Sequence, residues 1–182
     1  MKSGFVFPLD ELKKIIPDKG TQNDTQIIFQ FIEKYGKETG YTTDEWEKII
    51  QRNRIENNEF IFKHLNRRNI KLSFEMLKKY ASTQLSVSQT NLDGLNQFPV
   101  YFGSYYGDNK SDFYHLYKSG NDNMKLLILK SLAYTDDIDA INFLIDGLTS
   151  VEKKRSQTAY YSLSHIMGKD PAAFFKKEIY DL

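Results

Sequence analysis

The amino-acid sequence predicts an all-α fold in which antiparallel helix pairs stack into a solenoid-like array. Apolar residues recur at helical spacing along most of the chain, and no segment alternates apolar and polar residues as a strand does. In addition, residues 123–135 and 154–166 align at an offset of 31, which places Leu132 over Leu163. A fixed period of about 20–50 residues is typical of stacked repeats.

The N-terminal half is also predicted to be helical, although its pattern is less regular. A first helix is predicted over residues 23–36. Thr42 and Glu45 have the spacing of a capping box and start a second helix. The apolar periodicity lapses near Asn57–Asn58, which predicts a helix break there. A further helix is predicted over Ser73–Leu85.

The C-terminal half contains the repeated helix pairs. Ile138–Leu148 has apolar residues at i, i+3 and i+4 spacing and forms the first helix of one pair. The second helix runs over about residues 152–167 and ends at Gly168, because glycine tolerates a left-handed backbone. One period earlier, Ser111–Tyr117 takes the place of a first helix. Asp170–Pro171 is predicted to open a last helix.

This order of short helix, tight turn and second helix with a small-x-x-small-Leu core resembles HEAT-like and armadillo-like repeats. The resemblance is carried by Leu127–Asp137, Ile138–Leu148 and Arg155–Asp170, and covers roughly the last 70 residues. It implies a right-handed α-solenoid in which the second helices line a concave binding surface. An ordinary irregular helical bundle is the alternative.

Two parts are predicted within one continuous compact domain, an N-terminal helical part over residues 1–97 and HEAT-like repeats over residues 98–182. Residues 86–97 are polar and turn-rich, which indicates a linker or a surface loop. Residues 98–107 are rich in aromatic side chains. These rings form either an exposed binding patch or a buried plug between the two helical parts, and their burial distinguishes the two interpretations.

Composition indicates a soluble, folded protein of the cytoplasm. The chain has 182 residues, no cysteine and a formal net charge of +1. We therefore expect no disulfide, no thiolate metal site and no cysteine nucleophile. The N-terminus has the features of neither a signal peptide nor a membrane span. Only five arginines are present, so the arginine-rich surface of many nucleic-acid binders is missing.

The sequence gives little indication of catalysis, and we expect a protein without enzymatic activity, cofactor or metal. Its three histidines are far apart, and no phosphate-binding loop, nucleophile elbow or dinucleotide fingerprint is present. Asp136, Asp137 and Asp139 form the tightest carboxylate cluster. Helix capping explains these acids adequately, and an acidic contact surface is the alternative.

A partner-binding surface is predicted on the second helices of the repeat. The resemblance makes two rows of side chains neighbours on one groove wall, and the acidic cluster adds a charged contact. The predicted residues are Leu127, Lys130, Tyr134, Asp136, Asp137, Asp139, Lys154, Tyr161 and His165. The alternative is that the N-terminal part covers these rows, which makes them core.

A non-enzymatic protein–protein interaction module, monomeric when isolated, is the leading functional hypothesis. Its most specific form is an immunity protein (antitoxin) that binds a bacterial toxin and blocks its active site, with a nuclease as one candidate for the toxin. That form rests on resemblance to small all-helical immunity partners of contact-dependent inhibition toxins. In it, Asp136, Asp137 and Asp139 contact a basic toxin site. The alternatives are a helical-repeat nucleic-acid protein similar to HEAT-like DNA glycosylases, and a scaffold subunit of a larger complex.

Overall fold

The structure, a computed structural model, describes residues 41–86, 92–135 and 137–168. These residues form no strand, so the predicted all-α class is confirmed for them. No helix in these ranges is both long and apolar enough to cross a lipid bilayer. Two short 3-10 helices, Ile55–Asn58 and Leu92–Gly94, accompany the α-helices. The α-helices are α1 (Thr43–Arg52), α2 (Glu59–Arg67), α3 (Phe74–Leu85), α4 (Gln97–Gly103), α5 (Lys110–Ser119), α6 (Asp122–Leu132), α7 (Ile138–Leu148) and α8 (Lys153–Met167).

Some predictions lie outside the described residues. They are the first helix over residues 23–36, the last helix at Asp170–Pro171 and the partner-binding role of Asp136. The chain divides into two compact units, Met1–Gln84 and Leu85–Leu182, and each is described by itself. This boundary precedes the one predicted from sequence at residue 97.

In the N-terminal unit, local sequence signals set the helix boundaries as expected. The backbone N–H of Thr42 donates to the Glu45 carboxylate at 2.8 Å, and the N–H of Glu45 donates to the Thr42 hydroxyl at 3.3 Å. These two bonds complete the predicted capping box of α1. The predicted helix break is also present, because the 3-10 helix Ile55–Asn58 separates α1 from α2.

A buried polar network holds this break. The side-chain amide of Asn58, which has no exposed surface, donates to the Ile50 carbonyl at 2.9 Å and to the Tyr80 hydroxyl at 2.8 Å. The Tyr80 hydroxyl in turn donates to the Asn53 carbonyl at 3.0 Å. Burial raises the pKa of Tyr80 well above its ordinary value, since the charged phenolate loses solvation there. The network therefore ties the end of α1 to α3.

The C-terminal unit is built around α6. This helix packs against α4, α5, α7 and α8, and it is buried on most of its circumference. Its apolar residues explain that position, since a helix that is hydrophobic all round belongs inside a core. Asn121 caps its start, where the Asn121 side-chain oxygen accepts from the backbone N–H of Met124 at 2.9 Å.

The aromatic segment before α5 belongs to this core. Tyr101, Phe102, Tyr105 and Tyr106 are all buried, so the exposed-patch interpretation of residues 98–107 is wrong. Phe102 and Tyr106 both pack against Phe113 of α5, with ring centroids 5.0 and 5.3 Å apart. These contacts lie within the C-terminal unit and fill the space between α4 and α5.

The stretch before α4 also differs from its prediction. Of the predicted linker, residues 92–95 form a turn whose Leu92 and Leu95 side chains are buried. Two leucines three residues apart give a single apolar face to a 3-10 turn, whose side chains at i and i+3 eclipse. This turn therefore packs into the core, and only its polar residues reach the surface.

The helix pair α7–α8 follows the predicted boundaries. α7 spans Ile138–Leu148 as expected, and α8 ends at Gly168 with φ +59°, in the left-handed region that glycine tolerates. Leu132 and Leu163, which the 31-residue offset superposes, are both buried. Gly147 of α7 has no room for a larger side chain, since a Cβ there would lie 2.9 Å from the Cβ of Ala159.

Candidate functional site

A groove of about 770 Å³ lies in the C-terminal unit, along α8. We call it the α8 groove. One wall is α8, and the other consists of the turn at residues 92–96, the start of α4 and the residues at the end of α6. Its floor consists of the buried residues Leu95, Pro99, Ala133 and Ser162.

Aromatic side chains form the rim of the α8 groove. Tyr161 on α8 and Tyr134 after α6 are 69% and 43% exposed, respectively. The Tyr134 ring packs on the His165 ring, with the centroids 4.9 Å apart and the planes tilted by 59°. Three rings thus face solvent along one groove, whereas Tyr101, Tyr105 and Tyr106 of the same unit are buried.

Lys130 fixes one wall of the groove. Its ammonium group donates to the Leu92 carbonyl at 2.6 Å and to the Leu95 carbonyl at 3.4 Å. The Leu92 carbonyl also accepts from the backbone N–H of Leu95 at 3.2 Å, so the ammonium adds a second bond to the 3-10 helix and one to the residue that follows it. Lys130 therefore ties α6 to the turn, and the tie sets the position of Asp93 at the groove.

An exposed ion pair connects the two walls. The Lys154 ammonium lies 3.5 Å from the Asp93 carboxylate, and half or more of each side chain is exposed. A pair so exposed contributes little to stability, because water and salt screen it. The pair can therefore exchange its partners readily.

Two further charged residues stand where α8 begins. The Glu152 carboxylate accepts from the backbone N–H groups of Lys154 at 3.0 Å and Arg155 at 2.7 Å, so it serves as the helix N-cap. The neighbouring Lys153 is exposed, and its side chain has no ion pair with any residue in the described ranges. The groove thus presents Lys153 and Lys154, while Glu152 is engaged by the backbone.

The acidic cluster lies outside the groove and is already paired. The Lys110 ammonium donates to Asp139 at 2.8 Å and lies 2.6 Å from the Asp137 carboxylate. Asp137 also caps α7 by accepting from the backbone N–H of Asp139 at 2.9 Å. The Lys110 bond, and then this backbone bond, lower the pKa of Asp137. Capping and pairing therefore account for both described acids of the cluster.

The structure brings together five of the nine predicted partner-binding residues, and they line the α8 groove: Lys130, Tyr134, Lys154, Tyr161 and His165. It places Leu127 differently. That side chain is fully buried in the α6 core, because α6 is enclosed by its neighbours, so Leu127 is unable to contact a partner. Asp137 and Asp139 lie at Lys110, away from the groove lining.

Sequence reasoning missed the opposite wall of the groove. Asp93, Leu95 and Pro99 lie in segments interpreted as a loop and an aromatic plug, and they approach α8 only through the fold. The spacing of Leu92 and Leu95 was the available signal for a packed turn. Lys153, which is absent from the predicted partner-binding residues, lies beside Lys154 at the groove.

No group of histidine, cysteine or acidic side chains within the described residues has an arrangement that could hold a metal ion. The histidines lie on α2, α5 and α8, and of these only His165 lines the groove. The chain matches no protein-family model, no curated protein and no solved structure at significant similarity.

Proposed function

We propose that this protein is a non-enzymatic protein-binding module and that the α8 groove is its docking surface. The observation that carries the proposal is the exposed aromatic rim, Tyr134, Tyr161 and His165. Tyrosine is enriched at binding hot spots, because a rigid ring covers much area at a low entropic cost. Large rings that remain exposed together beside an apolar floor are characteristic of interaction sites.

The distribution of polar groups favours a protein over a small molecule. Small-ligand sites place a few polar groups at depth, where they fix the ligand's orientation. In the α8 groove the charged side chains Asp93, Lys153 and Lys154 are exposed, and the floor is largely apolar. An apolar centre surrounded by exposed polar groups is the usual anatomy of a protein interface.

A HEAT-like stack is the architecture that we propose for the C-terminal unit. α5 packs on α6, α7 packs on α8, and the two second helices α6 and α8 contact each other. Two stacked helix pairs require these same contacts. The short connections inside each pair favour antiparallel neighbours. In such a stack the α8 groove runs along the second helix of the pair α7–α8.

Within this class, the most specific proposal is an immunity protein of the cytoplasm that docks on a bacterial toxin and blocks its active site. Three features support this proposal: the small size, the absence of cysteine and a docking groove whose lining residues all belong to the C-terminal unit. The contact surface differs from the sequence-based hypothesis. Because Asp137 and Asp139 are paired with Lys110, we assign the contact to the groove instead of to the acidic cluster.

The test is a capture experiment with three versions of the full-length chain. Wild type, Tyr161→Ala and Tyr114→Ala are immobilised and exposed to lysate of the native cell. Tyr114 is the matched control, since it is 55% exposed and lies on α5, outside the groove lining. We expect a protein that wild type and Tyr114→Ala retain and that Tyr161→Ala loses.

The captured protein is then purified and assayed for toxicity alone and with one equivalent of this chain. Inhibition by wild type and not by Tyr161→Ala supports the immunity role. A partner retained equally by all three versions would contradict docking in the groove. If nucleic acid is captured instead of protein and Tyr161→Ala abolishes that capture, the result would favour a nucleic-acid-binding protein over a protein-binding one.

A further inference from the structure

The charges of the α8 groove define the chemistry of the segment that it binds. Both of its acids are engaged within the chain, Glu152 by backbone N–H groups of α8 and Asp93 by Lys154. Lys153 is exposed and has no side-chain ion pair with a described residue. The lysines of the groove therefore favour a binding segment that carries negative charge.

Asp93 occupies the position that an incoming carboxylate would take. The turn that carries Asp93 is fixed by the bonds of Lys130 to the Leu92 and Leu95 carbonyls. The Asp93 carboxylate nevertheless stays largely exposed, at 3.5 Å from the Lys154 ammonium. An external carboxylate can replace it at little cost, because an exposed ion pair of this length is weak.

We propose that the groove binds an acidic protein segment, and that a carboxylate of this segment displaces Asp93 from Lys154. Lys153 receives a second carboxylate, and the rim rings Tyr134 and Tyr161 cover the apolar or aromatic residues between them. This inference rests on the proposed docking function and names the chemistry of its partner. Asp93 acts within it as an internal competitor that selects for segments with enough negative charge.

A polynucleotide is the other polyanion to consider, and the groove favours it less. Glu152 and Asp93 would lie close to its phosphates, and these carboxylates repel a phosphate at every position along the backbone. Arginine, the usual partner of phosphate, is absent from the groove lining. An acidic peptide can place uncharged, apolar side chains opposite Glu152 and Asp93 and its carboxylates opposite the lysines.

The experiment uses fluorescent copolymers as probes and the full-length protein. A glutamate–tyrosine copolymer, a lysine–tyrosine copolymer and single-stranded oligothymidine are titrated with wild type and measured by fluorescence anisotropy. We expect the glutamate–tyrosine copolymer to bind more tightly than the other two. The comparison with the lysine copolymer tests the sign of the charge, and the comparison with oligothymidine tests the class of polyanion.

Four single variants then test the competition. Lys154→Gln is expected to weaken the glutamate–tyrosine copolymer about threefold, and Asp93→Asn to tighten it about threefold, since an exposed ion pair contributes little. Lys118 and Asp146 form an equally exposed pair at 4.0 Å outside the groove. Lys118→Gln and Asp146→Asn change the net charge identically and are expected to leave the affinity unchanged.

Equal effects of Asp93→Asn and Asp146→Asn would overturn the competition, because a general charge effect would explain both. Tighter binding of oligothymidine, or of the lysine copolymer, would overturn the acidic-peptide assignment. The proposed function fails separately. If Tyr161→Ala abolishes capture of a cellular protein but the glutamate–tyrosine copolymer shows no preferential binding, the groove is a docking surface and its partner segment is not acidic. If the copolymer pattern holds and no cellular protein is captured, the docking function falls.

Discussion

The two described regions place similar polar and aromatic residues in opposite environments. In the N-terminal unit, Asn58 and Tyr80 are buried and hydrogen-bond to each other and to the carbonyls of Ile50 and Asn53, so they hold the backbone at a helix break. In the α8 groove of the C-terminal unit, Tyr134 and Tyr161 are exposed. The comparison teaches that the first set stabilises the fold, while the rings of the second set remain open to solvent.

The largest expected effect comes from the core beneath the groove. Leu163→Ala should destabilise the protein by about 2–5 kcal/mol, because it removes a buried side chain and leaves a cavity. Chemical denaturation monitored by circular dichroism measures the change. An unchanged denaturation midpoint would contradict the buried position of Leu163, which both the 31-residue repeat and the structure give. Thr158→Ala, a partly exposed position of the same helix, is the control.

The second effect tests the buried network of the N-terminal unit. Asn58→Ala removes the bonds to the Ile50 carbonyl and the Tyr80 hydroxyl, and should cost about 1–3 kcal/mol. Tyr80→Phe removes the same hydroxyl from the other side. Because the two residues share one bond, their double variant should be less destabilised than the two single losses added together. Strict additivity in denaturation experiments would show that the network does not act as a unit.

The amount that sequence could predict differs between these regions for a physical reason. Capping residues and glycine act locally, so the boundaries at Thr42, Ile138 and Gly168 follow from short patterns. The groove depends on a wall contributed by Asp93 and Leu95, about sixty residues before the α8 residues that they face. No periodicity links segments at that separation without the fold.

Composition also fails to distinguish buried from exposed aromatic residues. Tyr105 and Tyr161 both lie in tyrosine pairs, Tyr105–Tyr106 and Tyr160–Tyr161, yet Tyr105 is buried and Tyr161 is largely exposed. Their difference arises from which neighbour packs on them. The Tyr101 hydroxyl lies 2.9 Å from the Tyr105 hydroxyl and satisfies it inside the core. Of the two interpretations of residues 98–107, the exposed patch is therefore excluded, while Tyr134, Tyr161 and His165 of the predicted rows do line a groove.

A third effect appears only in alkaline solution. Burial raises the pKa of Tyr80 above the value of 10.0 that applies in the unfolded chain. The unfolded chain therefore releases this proton first, so stability is retained below pH 10 and lost as the pH rises above it. The loss is about 1.4 kcal/mol per pH unit for one such group. Tyr80→Phe should reduce the slope of stability against pH by about 1 kcal/mol between pH 10 and 11, because the unfolded group is only half deprotonated at pH 10. An unaltered slope would contradict the burial of an ionisable hydroxyl at this position.

The smallest effect on stability is expected where the effect on binding is largest. Tyr161 lies two residues before Leu163 on the same helix, but its ring is 69% exposed. Tyr161→Ala should therefore change the free energy of unfolding by no more than about 0.5 kcal/mol, as is usual for surface positions. The same variant should lose the captured partner, mainly through faster dissociation, because contact residues act chiefly on that rate. Denaturation and surface plasmon resonance on one preparation measure both quantities. If Tyr161→Ala is destabilised as strongly as Leu163→Ala, the Tyr161 ring belongs to the core. The proposed contrast between the stabilising network of the N-terminal unit and the binding surface of the α8 groove would then be wrong.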